Sequence, residues 1–240
     1  MPELLSLIKS RQSSRIPFDE NKPISQEDIH KILEAGSWAP TAHNMQNFEV
    51  IVVNDKELLE QFREMELPVS ETFIRENYLQ LSFSEEELKK KKTGVLGTMF
   101  PKAWLDHMIM PAKETGNVPL NIIEPRNQIY PCPTLFILLY NPQKRAPASE
   151  GDFLGIMSLG CVLENMWLMA TSLGLSMHVI SSLSDDAAEH EIKDKLNIPE
   201  HLKIAISFRI GYTAAEAKYT RVRRDLSDFV HYNNYNEKEL

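Results

Sequence analysis

Five consecutive residues, Arg11-Gln12-Ser13-Ser14-Arg15, carry the strongest chemical signal in the chain. Two guanidinium forks flank an amide and two hydroxyls, a donor set matched to a phosphate or another small anion. The same residues also suit a solvated turn, because charged loop residues are commonly no more than surface. A second basic group, Lys218, Arg221 and Arg223, lies toward the C-terminus. Other catalytic patterns are missing. No Ser/His/Asp or Cys/His arrangement stands out, and His43 has no second histidine or carboxylate at ligand spacing, which disfavours a metal or acid–base role for it. Gly94, Gly97, Gly155 and Gly160 do not form a G-x-G-x-x-G turn after a strand, so a dinucleotide-binding domain is not indicated.

Composition sets the frame in which such an anion site would work. The chain has 240 residues, 42% hydrophobic and 25% charged, enough for one domain with a sizeable core. A formal net charge of -8 excludes a general nucleic-acid binder, whose affinity rests on clustered cations. Any basic site must therefore be local. Cys132 and Cys161 are the two cysteines and have no CxxC spacing, so they read as core thiols of a reducing compartment. The opening MPELLSLIKSRQSSR has too short an apolar run for a signal peptide, and Glu164 and Asn165 interrupt the most apolar later stretch. The expectation is a cytoplasmic protein without a membrane partner.

The elements that must position these residues alternate between helix and strand. A short amphipathic helix is expected at Leu4–Ile8, and a second begins at Ser25, with Asp28 completing a capping-box-like start, and ends near Gly36. Phe48–Val53 reads as a strand, followed by a helix capped by Asp55. In Ser84–Lys92 three glutamates each precede a lysine by four residues, which predicts an exposed helix laced by ion pairs. Pro133–Tyr140 suits a buried central strand. From Asp152 a long helix, apolar nearly all round and so expected to be buried on most faces, runs to a stop at Gly174. A strand around LSMHVI, a helix capped by Ser184 and ending before Pro199, and the strand KIAISFRIG complete the order.

Four blocks in this order resemble the flavin-dependent nitroreductase family: RQSSR; AGSWAPTAHNMQNFEVIVV (Ala35–Val53); LGCVLENMWLMATSLGLSMHVI (Leu159–Ile180); and FRIGY with RVRRDLSDFV. The resemblance covers most of the chain outside roughly 67–128. It implies an α+β fold with a central, mainly antiparallel sheet flanked by helices, an intertwined homodimer, and one FMN at each subunit interface. It further implies a single domain over 1–240, with 67–128 as an inserted or elaborated segment. The prolines and aromatics of that segment, including Tyr78 and Trp104, suit a lid that sets acceptor choice, or equally a helical elaboration.

By this resemblance Arg11, Gln12, Ser13 and Arg15 hold the FMN phosphate and ribityl chain, and Arg221 and Arg223 supply a second phosphate-contacting set. Pro40, Thr41, Ala42 and Asn44 reach the flavin of the partner subunit. Val179, Ile180, Ser181 and Ser182 lie along the ring, with a backbone donor toward N5. Arg15, or less favourably Asn127, would stabilise charge at the N1/O2 edge. The chain departs from the family where Gln46-Asn47-Phe48 replaces a common Gln-Pro-Trp and where Val-Ile-Ser-Ser replaces Pro-x-Glu-Gly. The implied activity is a ping-pong reduction of a nitroaromatic, quinone or similar acceptor by NADH or NADPH, with the chemistry on FMN and no dedicated catalytic side chain or metal. A specialised relative such as a reductive dehalogenase, for which Glu76 and Tyr78 are the relevant residues, and a flavin-binding regulatory module are the alternatives.

Overall fold

The computed structural model describes residues 2–65, 81–97, 129, 131–147, 149, 151–184, 186–213, 220–235 and 237. In chain order the elements are α1 (Pro2–Ser10), α2 (Gln26–Ser37), β1 (Glu49–Val53), α3 (Lys56–Arg63), β2 (Ser82–Phe83), α4 (Glu85–Lys91), β3 (Val95–Leu96), β4 (Thr134–Tyr140), α5 (Phe153–Ser172), β5 (Ser176–Ile180), α6 (Asp186–Leu196) and β6 (Lys203–Gly211). Short 3-10 turns lie at Ala42–Asn44, Ser182–Ser184 and Leu226–Asp228. The chain divides into two compact units, Met1–Leu67 with Ile123–Ala217, and Pro68–Ile122 with Lys218–Leu240.

The first unit is built on a four-stranded antiparallel sheet in the order β1-β4-β6-β5. The unbroken apolar run of β4 follows from its interior position, since both of its faces are covered. Leu135, Ile137 and Leu139 point into a layer with Leu59 and Phe62 of α3 and Ala188 and Ile192 of α6. Phe136 and Leu138 point the other way, to Ile29 and Ile32 of α2 and Val162 and Met166 of α5. Phe136 stacks on Phe208 of β6, with ring centroids 5.2 Å apart. Alternation thus serves two cores at once.

Local signals explain the helix limits. The Ser25 hydroxyl accepts from Asp28 N at 3.0 Å, and Asp55 Oδ1 accepts from Leu58 N at 2.9 Å, contacts worth about 1 kcal/mol each at a helix start. At the end of α5, Gly174 takes φ +73° and donates to Thr171, while Leu175 donates to Ala170, the paired bonds of a Schellman stop. Ser184 behaves differently from its expected capping role. Its hydroxyl donates back to the Ser181 carbonyl at 2.6 Å, and α6 begins two residues later. Within α6 the buried Glu189 accepts from Ile204 N at 3.1 Å and pairs with buried Lys193 at 3.2 Å, tying the helix to β6.

Within one chain the long helix α5 is covered on part of its surface. It buries Leu159, Val162, Met166 and Ala170, but Phe153, Ile156 and Met157 are 68%, 57% and 54% exposed. By length and composition α5 could cross a membrane. Its polar residues are instead used within the fold, for Asn165 donates to the Ala35 carbonyl at 3.0 Å and Glu164 pairs with Arg11.

In the second unit β2 and β3 form a small parallel pair. The predicted charged helix is α4, but its ion-pair ladder is shorter than the spacing suggests. Glu85 pairs with Lys89 at 2.6 Å, whereas the Glu87 carboxylate accepts from Ser84 N at 3.0 Å and completes a capping box. Those hydrogen bonds hold the Glu87 carboxyl below its usual range. The C-terminal stretch joins this unit through Lys92 with Asp225 and Thr220 with Glu85. Glu76, Tyr78, Trp104, Asn127 and Lys218 lie outside the described residues.

Candidate functional site

The stretch Arg11–Phe18 leaves α1 and runs along the open edge of β5. Ser13 makes a parallel bridge with Met177, in which Ser14 N donates to the Met177 carbonyl at 2.8 Å. Farther along, Phe18 N donates to Pro131 O and Asp19 N to Tyr212 O, at 2.9 and 2.8 Å. A glycine is required where this stretch passes the end of β6. A Cβ on Gly211 would stand 2.8 Å from Pro133 Cδ and 2.9 Å from Phe18 Cβ. The stretch is therefore fixed at several points although it has no regular secondary structure of its own.

This tether brings two groups of predicted residues together. Gln12 and Ser13 are half-buried and Arg15 is exposed. Beside them, β5 continues through Val179 and the buried Ile180 to exposed Ser181 and half-buried Ser182. The Ile180 side chain belongs to the core. Between Ser13 and Arg15, the Ser14 hydroxyl is buried and has no hydrogen-bond partner among the described residues.

Arg11 is held from α5. Its Nε lies 3.0 Å from Glu164 Oε1, and its guanidinium sits 4.4 Å from the Trp167 ring centroid. In the sequence Glu164 stands out only as an interruption of an apolar run. Its spacing three residues before Trp167 on one helix face was the available signal.

The Pro40–Asn44 block stands elsewhere in the same unit. Ala42 N donates to the Ser158 hydroxyl at 3.0 Å, and Thr41 Oγ1 accepts from Gln46 N at 3.1 Å, keeping its own proton to donate. Pro40 and Asn44 are exposed. His43, Asn44 and Gln46 all have positive φ, at 51°, 53° and 46°, a conformation costing non-glycine residues of the order of 1 kcal/mol each. Ser158 and Glu164, the α5 anchors of this block and of Arg11, are separated by about 9 Å of helix rise.

Asn47, one of the positions unlike the family pattern, has a structural use the sequence did not reveal. Its Nδ2 donates to the carbonyls of Asn141 at 2.7 Å and Lys144 at 2.9 Å, and its Oδ1 accepts from Asn141 N at 3.3 Å. It thereby closes one wall of a small, open cavity of about 20 Å³ lined by Thr41, Ala42, Phe48, Tyr140 and Lys144 among others. Burial raises the Tyr140 hydroxyl above its usual range, with Asp152 adding to the effect.

Arg221 and Arg223 are exposed residues of the second unit, and Arg223 Nη1 donates to the Val222 carbonyl at 2.7 Å. No group of histidine, cysteine and carboxylate side chains suited to a metal ion occurs among the described residues.

Known proteins share this architecture. A nitroreductase from Bacteroides fragilis, solved with bound FMN, superposes with a TM-score of 0.57 at 24% identity, covering 92% of this chain and 95% of its own. An NADPH-dependent oxidoreductase of Staphylococcus aureus is 22% identical over 231 residues, 96% of this chain and 73% of the relative. A protein of Archaeoglobus fulgidus is 45% identical over 64 residues, which are 27% of this chain and 36% of that relative. The profile described as the nitroreductase family matches residues 8–212, most of the chain, and on that ground the protein belongs to the nitroreductase family.

Proposed function

We propose that this protein is an FMN-dependent oxidoreductase that draws on NADH or NADPH to reduce an electron-poor small molecule, such as a nitroaromatic or a quinone, and that it works as a homodimer. The observation that carries the reading is the Ser13–Met177 pairing, which sets a phosphate-type donor group beside the β5 segment expected to face a flavin ring. The donors present fit FMN. Guanidinium, amide and hydroxyl groups follow one another along one tethered stretch, and the Ser14 hydroxyl, without a hydrogen-bond partner among the described residues, adds a buried polar atom at its centre.

When bound, FMN supplies hydride transfer in two separate half-reactions, first from the nicotinamide and then to the acceptor. The chain binds, orients and excludes. Arg11, Gln12, Ser13 and Arg15 hold the phosphate and ribityl chain, with Arg221 and Arg223 as the second cationic set. The backbone of Val179, Ile180, Ser181 and Ser182 supports the ring and supplies a donor.

Pro40, Thr41, Ala42 and Asn44 serve the site of a second copy. Two observations support this division: the separate anchoring of the two groups on α5, and the exposed Phe153, Ile156 and Met157 on the same helix. The reading places the protein in the cytoplasm, where nicotinamide reductant is available and where Cys132 and Cys161 remain as the free thiols observed.

The test is an anaerobic two-step titration. NADH or NADPH should bleach the flavin absorbance of the loaded protein, and a nitroarene or quinone should restore it. Bleaching by neither reductant would refute an NAD(P)H oxidoreductase and favour a non-turnover flavin module.

A further inference from the structure

Arg209 stands in β6 directly opposite His178 of β5 and is 0% exposed. Its Nη2 donates to the carbonyl of Ser14 at 3.1 Å and to that of Ile16 at 2.8 Å. Its Nε donates to His178 Nδ1 at 3.2 Å, and its guanidinium lies 4.0 Å from the Phe18 ring centroid. One side chain rooted in the sheet thus grips the backbone on both sides of Arg15 and the ring that follows.

We propose that Arg209 is the positioning residue of the phosphate-binding stretch, fixing the backbone that flanks Arg15 so that the Arg15 guanidinium meets the FMN phosphate, while Arg209 itself touches no cofactor. The proposal rests on the reading that FMN binds along Arg11–Arg15.

The surroundings argue for this role over simple core filling. The residue that pairs with Arg209 across β4 is Leu135, and the neighbours on that face are the apolar Ile137 and Ile180 and the buried Ser207. An apolar side chain would serve packing alone, and burying a guanidinium is costly unless its donors are used. Here Nη2 is directed at two carbonyls of a stretch that has no regular secondary structure of its own, between its bonds to Met177 and Pro131. Because arginine can only donate, His178 must offer Nδ1 as the acceptor and carry its ring proton on Nε2. His178 in turn precedes Val179, so the clamp also links the stretch to the segment assigned to the ring. The planar fork reaches two carbonyls and an imidazole at once, a geometry one lysine ammonium does not reproduce.

The experiment titrates cofactor-free protein with FMN and, separately, with riboflavin, which lacks the phosphate, following quenching of flavin fluorescence. The wild type should prefer FMN by about a hundredfold or more, in line with two charge-assisted contacts. Arg209→Met should reduce that preference at least about tenfold with riboflavin affinity nearly unchanged, and Arg209→Lys should restore part of it. Should Arg209→Met not fold, His178→Phe removes the Nε acceptor and should lower the preference severalfold. An undiminished preference accompanied only by a lower melting temperature would overturn the proposal, as would a parallel loss of both affinities. A wild type with no preference for FMN would overturn the phosphate assignment itself, and the proposal with it.

Discussion

Ser14 N donates to the Met177 carbonyl at 2.8 Å, so a stretch rich in anion donors and a strand leading to the expected ring segment lie one strand spacing apart, about 4.8 Å. This bond lets a single chain offer both ends of one cofactor a surface. Replacing Arg11 and Arg15 together with alanine should remove two charge-assisted contacts and cost about 3–6 kcal/mol of FMN binding, at least about a hundredfold in affinity. Flavin fluorescence after gel filtration checks it. Stoichiometric, tightly held FMN in the double variant would contradict the assignment.

Asn47 should matter to stability before it matters to chemistry. Asn47→Ala removes three hydrogen bonds to Asn141 and Lys144 and should lower stability by about 1–3 kcal/mol, read in chemical denaturation. Circular dichroism should remain that of the parent. Unchanged stability would show that the cavity wall is held by packing alone.

Burial pushes the Cys132 thiol from an ordinary 9.0 up to about 11. The folded state therefore keeps a proton that the unfolded chain releases between those values. The stability from the neutral thiol is complete below about pH 9 and is lost as pH rises toward 11, about 2–3 kcal/mol across the window. The stability gap between wild type and Cys132→Ala should accordingly narrow by about 1 kcal/mol at pH 10 relative to pH 7.5. A constant gap would mean that the thiol titrates alike in both states.

The exposed apolar stripe of α5 should be an interface between copies. Phe153 is 68% exposed, and Phe153→Glu should shift sedimentation toward the monomer and reduce bound FMN in parallel, because Thr41 and Ala42 would then have no second site to complete. A monomer fully loaded with FMN at micromolar concentration would contradict this.

Much of the fold was legible because local chemistry and burial agreed. Ser25, Asp55 and Gly174 mark helix limits through caps that act within a few residues, and the apolar run of β4 announces a strand covered on both faces. The donor set of Arg11–Arg15 stands out in the sequence because it is contiguous. Two of the differences are choices between local alternatives: the Ser84–Glu87 spacing suits a capping box as well as Glu87–Lys91 suits an ion pair, and the Ser184 hydroxyl can bond backward to Ser181 as well as cap forward. The others depend on tertiary neighbours. Glu164 reaches Arg11 and Asn47 reaches Asn141 across long sequence separations that no periodicity reports. Arg209 was hidden inside a mostly apolar strand that also buries Ser207, and its inward charge was the hint of a backbone clamp.

The absorption spectrum of the purified protein, recorded after incubation with excess FMN and removal of the unbound fraction, tests the central claim most directly. An oxidised-flavin spectrum corresponding to one FMN per chain is expected. A protein that is folded by circular dichroism yet shows no flavin absorbance after this treatment would contradict the account.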